Sequence, residues 1–229
     1  MKTYLSLFCI FFFSAVARAQ DPGALMKRIQ AKLEKINDYE AAANFKTEIS
    51  FLKVPDATVK IYYKKPDKIK IKNESGISLV PKETMSISLY SLVNSPYQAL
   101  DAGHDQVQGI PVRIIKLLPT DENSGLVLAT LYIDEKRLLV LKAKTTTREN
   151  GTNEVELFYG RFLQTGLPDK IIFSFNTQDF KLPKGVTFDY DDGSVKKKTS
   201  DTPKAQRGSI TITYLSYSIN KGLSDSLFK

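Results

Sequence analysis

The chain has 229 residues, 33 of them Lys or Arg and 25 Asp or Glu, for a formal charge of +8, and 42% are hydrophobic. That balance describes a folded protein and excludes collagen-like, low-complexity and disordered chains. One His (His104) and one Cys (Cys9) exclude a zinc site built from His and Cys, which needs three or four ligands.

Residues 1–19 read as a secretory signal. Lys2 gives the positive start, Leu5 to Phe13 is an apolar run broken only by Ser6, and Ala17-Arg18-Ala19 fits a small-x-small cleavage site. The run is too short for a spanning helix. Cys9 lies inside it, away from the cleavage point, which argues against a lipidated N-terminal Cys and removes any Cys-His nucleophilic pair. The expected mature chain is 20–229, a single domain without Cys, stabilised by a core and not by disulfides. It keeps 31 basic and 25 acidic residues, a surplus of +6. The surplus serves solubility or attraction to anionic surfaces such as lipid headgroups. With no nucleic-acid motif in an exported chain, nucleic acid is not an expected partner.

Pro22 to Asn37 reads as an amphipathic helix with Asp21 as N-cap. Leu25, Ile29, Leu33 and Ile36 form one apolar stripe, and Lys27, Arg28, Lys32 and Lys35 lie largely off it. After it the period becomes two. Phe45, Thr47, Ile49 and Phe51 share a face. Val59, Ile61 and Tyr63, then Ile69 and Ile71, alternate about a Pro66-Asp67 turn, a hairpin pattern. Met85 to Val93 fits a strand or a short helix.

Further strands are expected at 112–118, 126–133, 138–146, 154–164, 170–176, 186–190 and 209–219. The 126–133 run, apolar on both faces, reads as central and covered on both sides. Asp191 to Gly208, with Lys196-Lys197-Lys198, reads as an exposed polar loop. Hairpin-length connections imply an antiparallel meander, which curls because strands twist. The expected fold is mainly β, a curved antiparallel sheet or half-barrel covered by an N-terminal helix and short helices, with room for a ligand inside.

His104, in Asp101-Ala102-Gly103-His104-Asp105, reads as a solvated loop residue. As a general base it would need a placed nucleophile and an oxyanion hole. There is no Gly-x-Ser-x-Gly, P-loop or dinucleotide fingerprint, so no catalytic residue and no cofactor is assigned. Asp189, Asp191 and Asp192 lack the spacing of a calcium loop.

Several segments resemble, in order, the periplasmic outer-membrane lipoprotein carrier (LolA) family. Leu25-Met26-Lys27-Arg28-Ile29, then Ile36-Asn37-Asp38-Tyr39-Glu40-Ala41 and Phe45-Lys46-Thr47, is similar to its opening helix and strand. Lys60 to Ile71 resembles its next hairpin, and Leu131-Tyr132-Ile133-Asp134 with Leu138-Leu139-Val140-Leu141 its central one. Leu167-Pro168-Asp169, Phe173-Ser174-Phe175 and Leu182-Pro183-Lys184-Gly185-Val186 are similar to its closing pattern. The resemblance implies a half-barrel with a helical lid, and a periplasmic carrier that holds acyl chains of lipoproteins or other lipids for transfer to the outer membrane. It implies an inner-membrane release transporter and an outer-membrane acceptor as partners, with the carrier a monomer. Sister families suggest an alternative, a lipid-sensing or regulatory module acting through a protein partner.

On this reading Leu25, Ile29, Leu33, Ile36, Phe45, Ile49, Phe51, Val59, Ile61, Tyr63, Ile69 and Ile71 line the cavity, although each would equally serve as plain core. The family often has Arg before the hairpin Pro, where it holds the lid. Here that position is Lys65, which reads either as an exposed hairpin Lys or, as the resemblance implies, as a latch without the planar fork of Arg. Gly76 to Pro81 and the run to Lys229 also depart from the family pattern.

Overall fold

The computed structural model describes residues 21–49, 52–53, 55–75, 89–121, 124–149, 151–176 and 207–229. The signal segment, Phe51, the 186–190 strand, the Asp189–Asp192 carboxylates and nearly all of the 191–208 loop lie outside them.

Helix α1 runs Pro22–Leu33, with the Asp21 carboxylate accepting from the Gly23 amide at 2.9 Å and Pro22 in the first turn. It stops four residues short of the expected Asn37. The segment after Glu34 is held by other groups. The Asn220 side chain accepts from the Asn37 amide at 2.7 Å and donates to the Lys35 carbonyl at 2.8 Å, and the Lys65 amide bonds the Asn37 carbonyl at 2.9 Å. Ile36 is thus off the helix, although still half-buried.

Strands follow: β1 (Asp38–Ile49), β2 (Leu52–Lys53), β3 (Ala57–Lys64), β4 (Lys68–Ser75), then α2 (Leu89–Asn94), β5 (Tyr97–Val107), β6 (Ile110–Pro119), β7 (Leu126–Asp134), β8 (Leu139–Thr147), β9 (Gly151–Phe158), β10 (Lys170–Asn176) and β11 (Arg207–Ile219). The β3–β4 hairpin forms as expected, with Ile61 opposite Ile71 and Tyr63 opposite Ile69. The described part of 85–93 resolves in favour of helix, with Leu92 and Val93 buried.

Three further expectations change. His104 lies in a strand, β5, not in a loop. A register shift between Asp101 and His104, with Gly103 at φ +90°, makes a bulge there that gives the segment its loop-like composition. β7 lies between β6 and β8, inside the sheet, yet only its inner face is sealed. Ala129, Leu131 and Ile133 are buried, whereas Val127 is 47% exposed. The expected 154–164 strand ends at Phe158 and passes into a short 3-10 turn at Leu163–Thr165.

All the described strands join one antiparallel sheet in the order β4-β3-β1-β11-β10-β9-β8-β7-β6-β5, with β2 paired to β1. The sheet is curved and not closed, as expected. The first and last long strands, β1 and β11, are neighbours, third and fourth from the β4 edge, with Phe45 opposite Ile212.

Candidate functional site: the inner face of the sheet and its helical cover

The strand registers place one row of side chains across eight strands. Thr47 stands opposite Ile210, Ile210 opposite Phe173, and Phe173 opposite Val155. From Val155 the row continues through Ala143, Leu131 and Ile115 to Asp101. Cross-strand partners project on the same side, so this face is apolar from β11 to β6. A second row, Ala57, Phe45, Ile212, Ile171 and Leu157, runs beside it.

The apolar face divides into two packed groups. In the first, Leu25, Met26 and Ile29 of α1 and Leu92 and Val93 of α2 meet Ile115, Leu117, Leu131, Ile133 and Val140 of β6–β8. The second is Phe45, Ile49, Val59 and Ile61 with Phe173, Phe175, Ile210, Ile212 and Tyr214. Val155 borders both.

The residues expected to line one cavity therefore fall into two places. Leu25, Ile29 and Leu33 belong with the first group, Leu33 only partly buried. Phe45, Ile49, Val59 and Ile61 belong with the second, with Ile69 and Ile71 packed against it. Tyr63 is buried beside Tyr39. Ile36 is in neither group. Among the described helices, α1 and α2 contribute to the first group and none to the second. Met26 was absent from the expected stripe because it lies one position from Leu25 and widens the stripe on that side. Phe173, Ile210 and Ile212 sit in strands whose alternation was legible, but whose inner face no local pattern specifies.

Aromatic rings gather where β1, β3 and β11 meet the Phe162 loop. Tyr39 stacks on Tyr63 at 5.0 Å, Tyr217 meets Tyr39 edge-on at 5.4 Å and stacks on Tyr214 at 4.8 Å, and Phe162 meets Tyr217 edge-on at 4.8 Å. The Tyr217 hydroxyl donates to the Pro168 carbonyl at 2.9 Å. Burial raises the phenols of Tyr39, Tyr63 and Tyr217, and pushes Tyr214 up to about 12.

The C-terminal end of α1 is tied on two sides. On one, Lys65 Nζ donates to the Glu34 carbonyl at 2.9 Å and to the Glu34 carboxylate at 2.6 Å, and lies 5.5 Å from the Tyr90 ring centre. The Tyr90 hydroxyl donates to the other carboxylate oxygen at 2.6 Å. The Lys65 hydrogen bond, then that of Tyr90, holds the Glu34 carboxyl below its usual range. On the other side, Lys32 Nζ donates to the Arg137 carbonyl at 2.7 Å in the β7–β8 turn. Its stem runs over Gly166, where an added Cβ would lie 3.1 Å from Lys32 Cε. Gly166 also has φ +77°, so this position suits glycine twice over. Glu34 and Tyr90 escaped sequence reasoning; neither carries a local signal for a partner 31 or 56 residues away.

At the β5–β7 end, Arg113 is buried on the inner face at 4% side-chain exposure. Its Nη2 and Nε meet one Asp101 oxygen at 2.6 and 3.0 Å, and its Nη1 meets Glu135 at 3.1 Å. The Arg113 hydrogen bond, then the Gly103 amide, lowers the Asp101 carboxyl. His104 stands opposite Arg113 in the register and is exposed. Among the described residues, no three His, Cys, Asp or Glu side chains converge as metal ligands, and no helix is long and apolar enough to cross a membrane.

An open, curled antiparallel sheet with a helix tied over part of its inner face matches known structures over most of their length. A LolA superfamily protein from Nitrosomonas europaea superposes with a TM-score of 0.56 at 9% identity, covering 89% of this chain and 97% of the other.

The fold is LolA-like.

Two further structures are similar in fold. A Vibrio parahaemolyticus domain described as outer membrane lipoprotein-sorting gives a TM-score of 0.59 at 11% identity, covering 90% of this chain and 94% of that one. A DUF1329 family protein from Desulfovibrio piger gives 0.55 at 13%, covering 91% and 98%. No protein-family model and no curated protein matches the chain. At such identities the LolA-like comparison concerns the fold. What the inner face holds is argued from its residues.

Proposed function

We propose that this protein is a non-catalytic periplasmic carrier that takes acyl chains of lipoproteins or other lipids against the inner face of its sheet for transfer to the outer membrane. The observation that carries the reading is the unbroken apolar row from Ile210 to Ile115, next to a helix held by hydrogen bonds at its edges. An apolar face contributes about 0.8 kcal/mol per CH₂ buried, so one long acyl chain supplies useful affinity without bond chemistry. The ties at the C-terminal end of α1 are side-chain contacts that can exchange with water, and opening would also have to expose Leu25, Met26 and Ile29.

The similarity of the fold to a lipoprotein-sorting domain supports the choice of cargo. The residues 1–19 pattern supports export. In this reading Lys65 is the latch of the closed, empty state, and an inner-membrane donor and an outer-membrane acceptor exchange the cargo.

Native mass spectrometry of protein purified from cells tests the proposal. Co-purifying lipid or acylated peptide is the expected result, together with saturable binding of a fluorescent fatty acid by delipidated protein. A protein that repeatedly arrives without lipid and binds no apolar probe is not a carrier.

A further inference from the structure

The outward side of α1 carries cations that no described side chain pairs with. Lys27 and Arg28 on α1, Lys35 in the turn that follows, and Lys136 in the β7–β8 turn are all exposed, and among the described residues none of their side chains has an ion-pair partner. The two segments lie together, since Lys32 Nζ reaches the Arg137 carbonyl.

Each acid on those segments has a partner of its own, although Asp21 and Asp134 keep their charge, and Asp134 also meets Arg137. Asp21 caps the Gly23 amide, and Glu34 is held by Lys65 and Tyr90. Asp134 accepts from the Lys136 and Arg137 amides, and Glu135 meets Arg113. Lys32 lies among these groups: its ammonium is lowered first by burial and then by Lys35, while the Asp134 carboxylate acts the other way. The exposed helix residues beside these cations are Ala24 and Ala31.

We infer that this face of the lid helix and the adjoining β7–β8 turn form a docking surface for an anionic bilayer headgroup layer. A protein partner usually engages a few aromatic or Arg anchors seated in pockets. A layer of anionic headgroups needs only several cations presented together, each strengthening attraction about fivefold. Ala24 and Ala31 offer nothing to insert between acyl chains, so contact is superficial and reversible. Docking in this orientation brings the covered end of the apolar face to the membrane. The inference rests on the carrier reading for its purpose, while its test is independent of cargo.

The test is sedimentation of the full mature protein with vesicles of phosphatidylcholine alone or with phosphatidylglycerol added. The expected result is binding to the anionic vesicles only, weakening steeply with salt. Lys27→Glu with Arg28→Glu should lower partitioning at least about twentyfold. Lys72→Glu with Lys116→Glu, an equal charge change at exposed positions on β4 and β6, should lower it less than about threefold. Equal loss in both pairs would mean that net charge alone acts, and would overturn the inference. So would absence of a preference for anionic vesicles, including the case where the same face instead captures poly-glutamate as a mimic of an acidic protein. Fatty-acid probe binding in solution should be unchanged in both pairs. Failure of that probe with wild type would instead remove the carrier reading.

Discussion

Lys65 and Glu34 are joined twice, by one ammonium that reaches both the main-chain carbonyl and the side-chain carboxylate of the residue capping the C-terminus of α1. The carbonyl contact fastens the helix itself, and the carboxylate contact is shared with Tyr90. Lys65→Leu removes both. If the tie favours the closed empty state, the open population rises, and an acyl probe should bind several-fold tighter and leave more slowly. Lys65→Arg keeps a donor for both acceptors and should preserve the cycle. Titration of a fluorescent fatty acid and its stopped-flow release measure both variants. Unchanged affinity and release in Lys65→Leu would reduce the contact to a structural one.

Burial grades the helix stripe. Ile29 is 2% exposed and Leu33 is half-buried. Ile29→Ala should cost about 2–4 kcal/mol in urea unfolding, as other buried aliphatic truncations do. Ile29→Asp should be worse, since it buries a carboxylate without a partner. Leu33→Asp should cost clearly less than Ile29→Asp, because its carboxylate can turn to water. Equal costs at the two positions would place Leu33 in the sealed part of the core.

Acid and alkali should each destabilise the fold for a separate reason. The carboxyls of Asp101, Asp169 and Glu154 are all lowered in the folded state, Asp101 chiefly by Arg113. A lowered carboxyl adds stability above its unfolded value, here 3.8 for Asp and 4.5 for Glu, and loses it as pH falls through the folded value. Stability should therefore hold from neutrality to near pH 5 and fall below that. Tyr214 is raised from 10.0 to about 12. The neutral phenol is the form the fold accepts, so its contribution is complete below pH 10 and is lost between pH 10 and about 12. Thermal melting across both windows checks this, and Tyr214→Phe should make the alkaline arm shallower without removing it, since Tyr39, Tyr63 and Tyr217 are raised as well.

Asn220 clasps the exit of the lid. Its side chain accepts from the Asn37 amide, donates to the Lys35 carbonyl, and its own φ is +55°. Asn220→Ala loses the clasp and strains the backbone, whereas Asn220→Gly loses only the clasp. Both should destabilise, Ala by about 1–3 kcal/mol and more than Gly. Chemical denaturation of the two variants beside wild type gives the order.

Much of the fold was legible because its signals are local. Asp21-Pro22 announces the start of α1, and the alternation about Pro66-Asp67 announces the β3–β4 hairpin. The end of α1 was misread because its controls, Asn220 and Lys65, lie far along the chain and leave no mark at Glu34. β5 was missed because the Gly103 bulge mimics a loop. The inner face was legible in composition but not in its division. Whether Val59 shares a cluster with Leu25 depends on how far the sheet curls, and alternation alone does not encode that.

The adjacency of β1 and β11 has a temporal meaning. Phe45 faces Ile212, so a strand made among the first must wait for one made among the last. β3 and β4 can fold back on β1 early, and β5 to β10 can form their own ladder of successive hairpins. The two pieces have no shared hydrogen-bonded border until β11 enters between β1 and β10. Such distant pairing makes assembly slow. Until that strand arrives, Ala43 and Phe45 on one border and Phe173 on the other are left with open strand edges, the state in which a nascent chain most needs protection from its neighbours.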